Sequence, residues 1–391
     1  MGGVTVIYLD NAATTYPKPQ EVQTAVSEAF RRYGANPGRA GHSMAMAASE
    51  EVFRCRNDAA EFFHAPGPEC VAFTLNCTHA VNYVLKGLLR PGDHVVVSCL
   101  EHNAVIRPLY ALRPFGITYT EAEVFPGDND ATVNAFREAL RPNTRLVMCT
   151  HASNVWGIRL PVERIAALAH QYGITVAVDC AQSAGLLPID MESSGIDYLC
   201  VAGHKGLYGP MGTGMLITPN GSGLATVVEG GTGTESVRAE QPSGMPERLE
   251  SGTQNMPGIA GLRAGIGFVR RRGPEKIHEH ENNLLRALYR ELAAMDGVQL
   301  YTPMPDTIYY VPVLSFNIRG MSSETVGREM NDLGVAVRAG LHCAPAAHRR
   351  MGTIESGAVR ICPSVFSTMQ DMKGAAYAVK RILMKKSGSK H

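Results

Sequence analysis

The chain has 391 residues, 45% hydrophobic and 19% charged, too long for one minimal core and too apolar for disorder. One large domain and a smaller one are expected at roughly 150 residues per domain. Basic and acidic side chains number 37 and 36, a net charge of +1, which excludes the basic excess that nucleic-acid and anionic-membrane binders use to neutralise phosphate.

The opening MGGVTVIYLD lacks a cationic-then-apolar signal pattern, and no uncharged apolar run approaches the roughly 20 residues of a membrane span. A cytoplasmic protein is expected, with no membrane and no nucleic-acid partner. Pro19–Arg32 reads as a helix, because Val22, Ala25, Val26 and Ala29 recur at helical spacing. Short β-rich runs then alternate with helical patterns. The strands are Val71–Leu75, His94–Cys99, Thr144–Thr150, Ile174–Asp179 and Tyr198–Ala202, with Gly214–Thr218 as a last, antiparallel one; His79–Leu89 and Pro161–Tyr172 are helices between them. This is the α/β pattern of a mostly parallel sheet covered on both faces. From Asn220 to Gly252 the chain is rich in Gly, Ser, Thr, Pro and Glu, a long ordered loop of the kind that is usually functional. Beyond it come a helical region Gly258–Met295, a strand near Val311–Ile318, a helix near Ser323–Leu333 and a final helix after Ser367, together a smaller α+β domain. The polar tail KKSGSKH is expected to fray. Nine scattered cysteines without a C-x-x-C pair read as reduced thiols, and no metal centre is expected.

Ligands of an open α/β sheet bind beyond the carboxyl ends of its parallel strands, so the polar residues there are the candidates. Past Val71–Leu75, Thr78 and its neighbouring N–H groups either hold an anion at a helix start or form a plain cap. Past His94–Cys99, His102 is a ring to stack on a flat heterocycle, a proton shuttle, or an ordinary surface histidine. Asn154, after Thr144–Thr150, donates to a ring oxygen or shapes a turn. Asp179 ends an apolar strand and needs a partner: a protonated pyridine nitrogen, an arginine or a helix-cap N–H. Lys205 lies 26 residues later, flanked by His204 and Gly206, at the edge of the next strand, where burial lowers an amine's proton affinity and makes it usable. In this order they describe a pyridoxal phosphate site, with a Schiff-base lysine, an aspartate on the ring nitrogen and a helix end for the phosphate.

The stretches YLDNAATTYPKP (8–19), EHNA (101–104), SNVWG (153–157), VDCAQSAG (178–185), GHKGLYGPMGTG (203–214), LESGTQN (249–255) and VRAGLHCAP (337–345) resemble the class V aminotransferase family. Within it they are most similar to the group II cysteine desulfurases, those with a short active-site loop, and to the selenocysteine lyases. The resemblance implies the fold type I of pyridoxal-phosphate-dependent transferases. A mostly parallel seven-stranded sheet would lie in a large domain (20–260), and residues 1–19 and 261–391 would make the smaller domain. It implies Lys205 as the Schiff-base lysine, Asp179 on the pyridine nitrogen, Gln182 and Asn154 near the ring hydroxyl and His102 stacked on the ring. Thr78 and His204 would bind phosphate in the same subunit, and Thr253 would reach it from the partner of a homodimer. Arg360 would bind the substrate carboxylate, where otherwise it is a salt-bridging arginine. Arg338 would lie beside the substrate. Cys343, otherwise a packing cysteine, would be the sulfur-accepting nucleophile, with Arg338 and His348 as positive neighbours favouring thiolate.

The implied reaction converts L-cysteine to L-alanine, the freed Lys205 amine taking the α-proton and Cys343 taking the sulfur as a persulfide. An acceptor protein or a thiol then receives it for iron–sulfur cluster or thiocofactor assembly. Departures from the family are Ala202 in place of a phosphate-binding serine, Cys77 in place of a threonine in the phosphate cup, an extra Gly206, and Leu341 in place of a histidine. The alternatives are a selenocysteine lyase, a cysteine-sulfinate lyase, another class V aminotransferase or lyase, and a cofactor-free scaffold.

Overall fold

The computed structural model describes residues 6–38, 41–221 and 223–388. The chain opens with β1 (Ile7–Tyr8), α1 (Gln20–Arg32) and α2 (Ser43–Phe63). It then runs through β2 (Val71–Thr74), α3 (Cys77–Leu88), β3 (His94–Ser98), α4 (Asn103–Leu112), β4 (Thr118–Ala122) and α5 (Asn129–Ala139). Next come β5 (Thr144–Thr150), α6 (Val162–His170), β6 (Thr175–Asp179), α7 (Met191–Ser194), β7 (Tyr198–Ala202) and β8 (Gly214–Ile217). Seven of these strands form one sheet in the order β2-β8-β7-β6-β5-β3-β4. All run parallel except β8, which is antiparallel to both of its neighbours.

The apolar runs of the sequence become strands buried on both faces, as parallel strands covered by helices must be. Val95, Val97, Leu146 and Met148 pack with α3 and α4, whereas Val96, Val147, Val178 and Leu199 pack with α2, α5 and α6 on the other face. The fold is thus the α/β arrangement expected, with β4 as a seventh strand that no apolar run announced. Its residues alternate with polar ones because it is a sheet edge with half-exposed positions.

The rest of the chain contains α8 (Met256–Arg272), α9 (Pro274–Ala293), β9 (Val298–Leu300), β10 (Leu314–Ile318), α10 (Ser323–Asp332), β11 (Val335–Ala336), β12 (Arg338–Gly340), α11 (Pro345–Arg350), β13 (Ala358–Ile361) and α12 (Met369–Gly388). An antiparallel sheet β12-β13-β10-β9 packs with α9, α10 and α12 around Leu314, Phe316, Val359 and Ile361, and β1 joins β11 in parallel. The single helical region expected over 258–295 is two helices. Gly273, at φ +83°, ends the first, and Pro274 starts the second where its missing N–H costs nothing. The strand expected from Val311 begins at Leu314, and helix α12 takes in the start of the tail expected to fray, up to Gly388; 389–391 lie outside the described residues, as do 1–5 of the opening. Among the described residues of 220–252, Glu247–Leu249 forms a single helical turn. No described helix is long and apolar enough to cross a membrane, and no described group of three or more His, Cys, Asp or Glu could hold a metal.

Candidate active site

Six parallel strands end along one edge of the large sheet, and the segments that follow five of them, β2, β3, β5, β6 and β7, line one cavity, with His102 as the contribution from beyond β3. Its walls include Asn76, Cys77 and Thr78 after β2, Asn154 after β5, Asp179 and Gln182 after β6, and Ala202, His204 and Lys205 after β7. Chemistry scattered from Asn76 to Lys205 in the sequence is thereby gathered at one place.

Asp179 is buried at the end of β6, and its Oδ1 accepts from the Ala181 N–H at 2.8 Å and from the Cys77 thiol at 3.2 Å. Oδ2 has no partner among the described residues. Lys205 is half-buried, with no hydrogen bond to its amine among the described residues; burial pushes that amine below the usual lysine range, against the pull of Asp179. The turn that carries it is very close-packed. A Cβ on Gly206 would lie 2.2 Å from the Ala184 carbonyl oxygen, so the glycine that departs from the family pattern is required by the backbone here.

His102 caps α4, its Nδ1 accepting from the Ala104 N–H at 3.0 Å, so the proton sits on Nε2. Burial lowers its pKa to about 4, although Asp179 opposes the shift, and the ring is neutral. Asn76 caps α3 by accepting from the His79 N–H at 3.0 Å. That leaves the exposed Thr78 hydroxyl and the first N–H groups of a twelve-residue helix open to an anion. His204 stands beside them with a pKa lowered to about 4, chiefly by burial, then by the charges of Lys205 and Lys18. Its carbonyl accepts from the Thr14 hydroxyl at 3.1 Å and from the Lys18 amine at 2.7 Å. The amides expected near the ring hydroxyl are partly engaged: Gln182 Nε2 donates to Ala12 O at 3.0 Å and Asn154 Nδ2 to His342 O at 2.8 Å.

Four residues singled out by the sequence do not line this cavity: Cys343, Arg338, Arg360 and Thr253. The Cys343 turn nevertheless touches it through two neighbours. Asn103, next to His102, donates its N–H to Cys343 O at 2.7 Å, and Asn154 holds the preceding carbonyl. His342 and Cys343 both have positive φ, at 49° and 57°, a conformation that non-glycine residues hold only where surroundings fix it. Of the nine cysteines, all free, Cys343 alone is exposed. Arg338 Nη2 lies 3.9 Å from its sulfur. The expectation that His348 adds positive charge is corrected: it is buried against Trp156, accepts or donates with Thr353 at 2.8 Å, and burial lowers its pKa to about 4, so it is neutral.

Arg360 is only 1% exposed; Nη1 donates to Asn154 O at 2.9 Å, Nη2 pairs with Asp10 at 2.7 Å, and Nε is buried without a partner. Thr253 is exposed and lines a neighbouring cavity with Phe73, Tyr83 and Asn255.

Three functional neighbours escaped the sequence reading. Lys18 sits between prolines, and nothing local says that its amine, brought down to about 8 by burial, will brace the Lys205 turn. Asp10 lies within the YLDNAATTYPKP stretch with no signal of its own, and its pairing with Arg360 spans 350 positions. Glu101, beside His102, is fully buried, accepting from the Ser98 hydroxyl and the Thr150 N–H. A charged residue directly after an apolar strand was its only signal.

The donor set fits pyridoxal phosphate. An unpartnered carboxylate oxygen and an unpartnered amine share the cavity with an open helix start and the Thr78 hydroxyl, and the orphaned Nε of Arg360 lies just behind Asn154. Comparison with known proteins gives the family. The family model for Aminotransferase class-V matches residues 7–374. A Methanothermobacter thermautotrophicus protein described as a probable cysteine desulfurase is 34% identical over 376 residues, 94% of this chain and 92% of that one. A cysteine desulfurase of Escherichia coli O127:H6 is 34% identical over 364 residues, 88% and 86% of the two chains. Among solved structures, the apo form of a cysteine desulfurase from Thermococcus onnurineus superimposes with a TM-score of 0.90 at 28% identity, covering 97% of this chain and 95% of that one. A match of that extent, on a chain whose strand order and strand-end chemistry point the same way, makes this chain a member of the class V aminotransferase family.

Proposed function

We propose that the chain is a pyridoxal-phosphate-dependent cysteine desulfurase, in which L-cysteine and the Cys343 thiol become L-alanine and a Cys343 persulfide. The observation that carries this reading is the double attachment of the Cys343 turn, by Asn154 Nδ2 of the cavity wall to His342 O and by the N–H of Asn103, next to the wall residue His102, to Cys343 O. The turn that carries the one exposed thiol of the chain is thereby held beside a lysine–aspartate cavity.

Pyridoxal phosphate bound here supplies an electron sink for the pair left when a substrate α-proton departs. Asp179 would keep the ring nitrogen protonated, and Thr78, His204 and the start of α3 would hold the phosphate. Lys205, whose proton affinity is lowered by burial, carries the amine that takes the α-proton. Neutral His102 presents a flat, uncharged face to the cavity. Arg360 offers its remaining N–H groups to the substrate carboxylate. Cys343, with Arg338 beside it, forms the S–S bond as the substrate Cβ–S bond breaks, and the bonding pair stays with the carbon that becomes the alanine methyl.

The family resemblance further supports a cytoplasmic homodimer that completes each phosphate site with the partner's Thr253, and delivery of the persulfide sulfur to an acceptor protein or thiol for iron–sulfur cluster or thiocofactor assembly. The decisive experiment is Cys343→Ser. Alanine formation from L-cysteine should fall on the order of a hundredfold, with protein-bound persulfide abolished and cofactor absorbance intact. Undiminished alanine formation would overturn the persulfide route and favour lyase chemistry on a selenocysteine or sulfinate substrate.

A further inference from the structure

Cys77 opens helix α3, and its sulfur turns inward onto the large sheet. It lies 3.2 Å from Asp179 Oδ1 and 3.3 Å from the carbonyl oxygen of Cys200. Asp179 and Cys200 are register partners on β6 and β7, so the thiol sits directly behind the carboxylate, bridging two adjacent strand ends. The family resemblance implies a lost hydroxyl of the phosphate cup at this position, yet its sulfur bonds neither Thr78 nor His204. Burial, reinforced by the nearby Asp179 charge, keeps the sulfur protonated, so it is a donor. Between its two acceptors the carboxylate is the stronger.

We infer that Cys77 is a positioning residue for the cofactor ring: together with the Ala181 N–H it occupies Oδ1 of Asp179 and reserves Oδ2 for the ring nitrogen. This rests on the pyridoxal phosphate reading above. Two donors on Oδ1 fix the rotation of the carboxylate and leave Oδ2 as the acceptor for the N–H of the ring. A thiol is a weak donor, which makes the contribution modest and a hydroxyl an adequate substitute.

The test titrates apoprotein with pyridoxal phosphate and, separately, with its carbocyclic analogue in which CH replaces the ring nitrogen. Wild type is compared with C77V, which keeps the volume without a donor, C77A, which leaves space without a donor, and C77T, which restores one. The valine and alanine variants should bind pyridoxal phosphate about three- to tenfold more weakly, with C77T at or above wild-type affinity. The analogue should bind all four proteins alike. The pH at which bound cofactor changes its absorbance should move in C77V and C77A and return in C77T. Equal losses for cofactor and analogue, or donorless variants indistinguishable from wild type, would overturn the inference while leaving the pyridoxal phosphate reading intact. Failure of wild type itself to bind the cofactor would remove both.

Discussion

Glu101 is held between the ends of β3 and β5 with Oε1 accepting from the Ser98 hydroxyl and the Thr150 N–H, while Oε2 is buried without a partner. Burial pushes its carboxyl from the ordinary 4.5 up to about 8, the two donors only partly opposing. The sign follows from which state keeps the proton. Across neutral pH the folded chain retains a proton that the unfolded chain releases, so rising pH favours unfolding until the folded carboxyl ionises as well. A glutamine keeps the shape and removes the titration. E101Q should therefore gain stability relative to wild type as pH is raised from about 5 to about 8, by on the order of 1 kcal/mol per pH unit, read from urea midpoints. Parallel stability curves for the two proteins would mean that Glu101 ionises normally. At this scale the sequence discloses chemistry that is local. Asp179 and Lys205 stand out because each polar group follows an apolar strand. Arg360 was legible as a carboxylate binder or a salt-bridging arginine, but not its partners: its hold on Asp10 and on the Asn154 carbonyl joins segments that sequence spacing cannot bring together.

The turn after β7 is where an element, more than any one side chain, sets the site. Gly206 packs on the Ala184 carbonyl, and Gly185, at φ +87°, packs back on the Gly206 carbonyl, each leaving 2.2 Å for a Cβ. From the other side the segment before α1 clamps the same turn: Thr15 Oγ1 donates to Lys205 O at 3.0 Å and Lys18 Nζ to His204 O at 2.7 Å. Lys205 thus leaves a backbone that has no room to move. G206A should shift that backbone at a cost of about 1–3 kcal/mol and weaken cofactor affinity about tenfold, measured by equilibrium titration of the apoprotein. Wild-type affinity in G206A would show that the turn yields without disturbing Lys205. Elements with strong patterns were legible, namely the buried strands and α1. Helix α2 was missed although Ala45, Ala48, Val52, Cys55, Ala59 and Phe63 face the core at helical intervals, because small residues give a weak apolar signal in a charged stretch. The split between α8 and α9 was announced by Gly273-Pro274 and overlooked within a longer pattern.

Taken as a whole, the molecule carries its cavity at one sheet edge, while Thr253 stands exposed outside it, lining a separate hollow with Phe73 and Tyr83. A threonine that serves the phosphate only across a homodimer makes a prediction that no single-chain role shares. K205A subunits retain Thr253, and T253A subunits retain Lys205. When the two purified variants are mixed under conditions that exchange subunits, each mixed dimer should hold one cavity with both residues intact and one with neither. Cysteine turnover should then rise well above the sum of the separate variants, approaching a quarter of the wild-type rate per total site when mixing is even, since about half of randomly paired dimers are mixed and each has one good site. If Thr253 acts within its own chain, every cavity in the mixture is defective and no turnover returns. The same mixture reports through cofactor retention on dialysis, which separates a loss of phosphate binding from a loss of chemistry. Recovery in turnover with no recovery in retention would mean that Thr253 serves the partner's cavity by some contact other than the phosphate, and absence of recovery in both would confine each site to one chain.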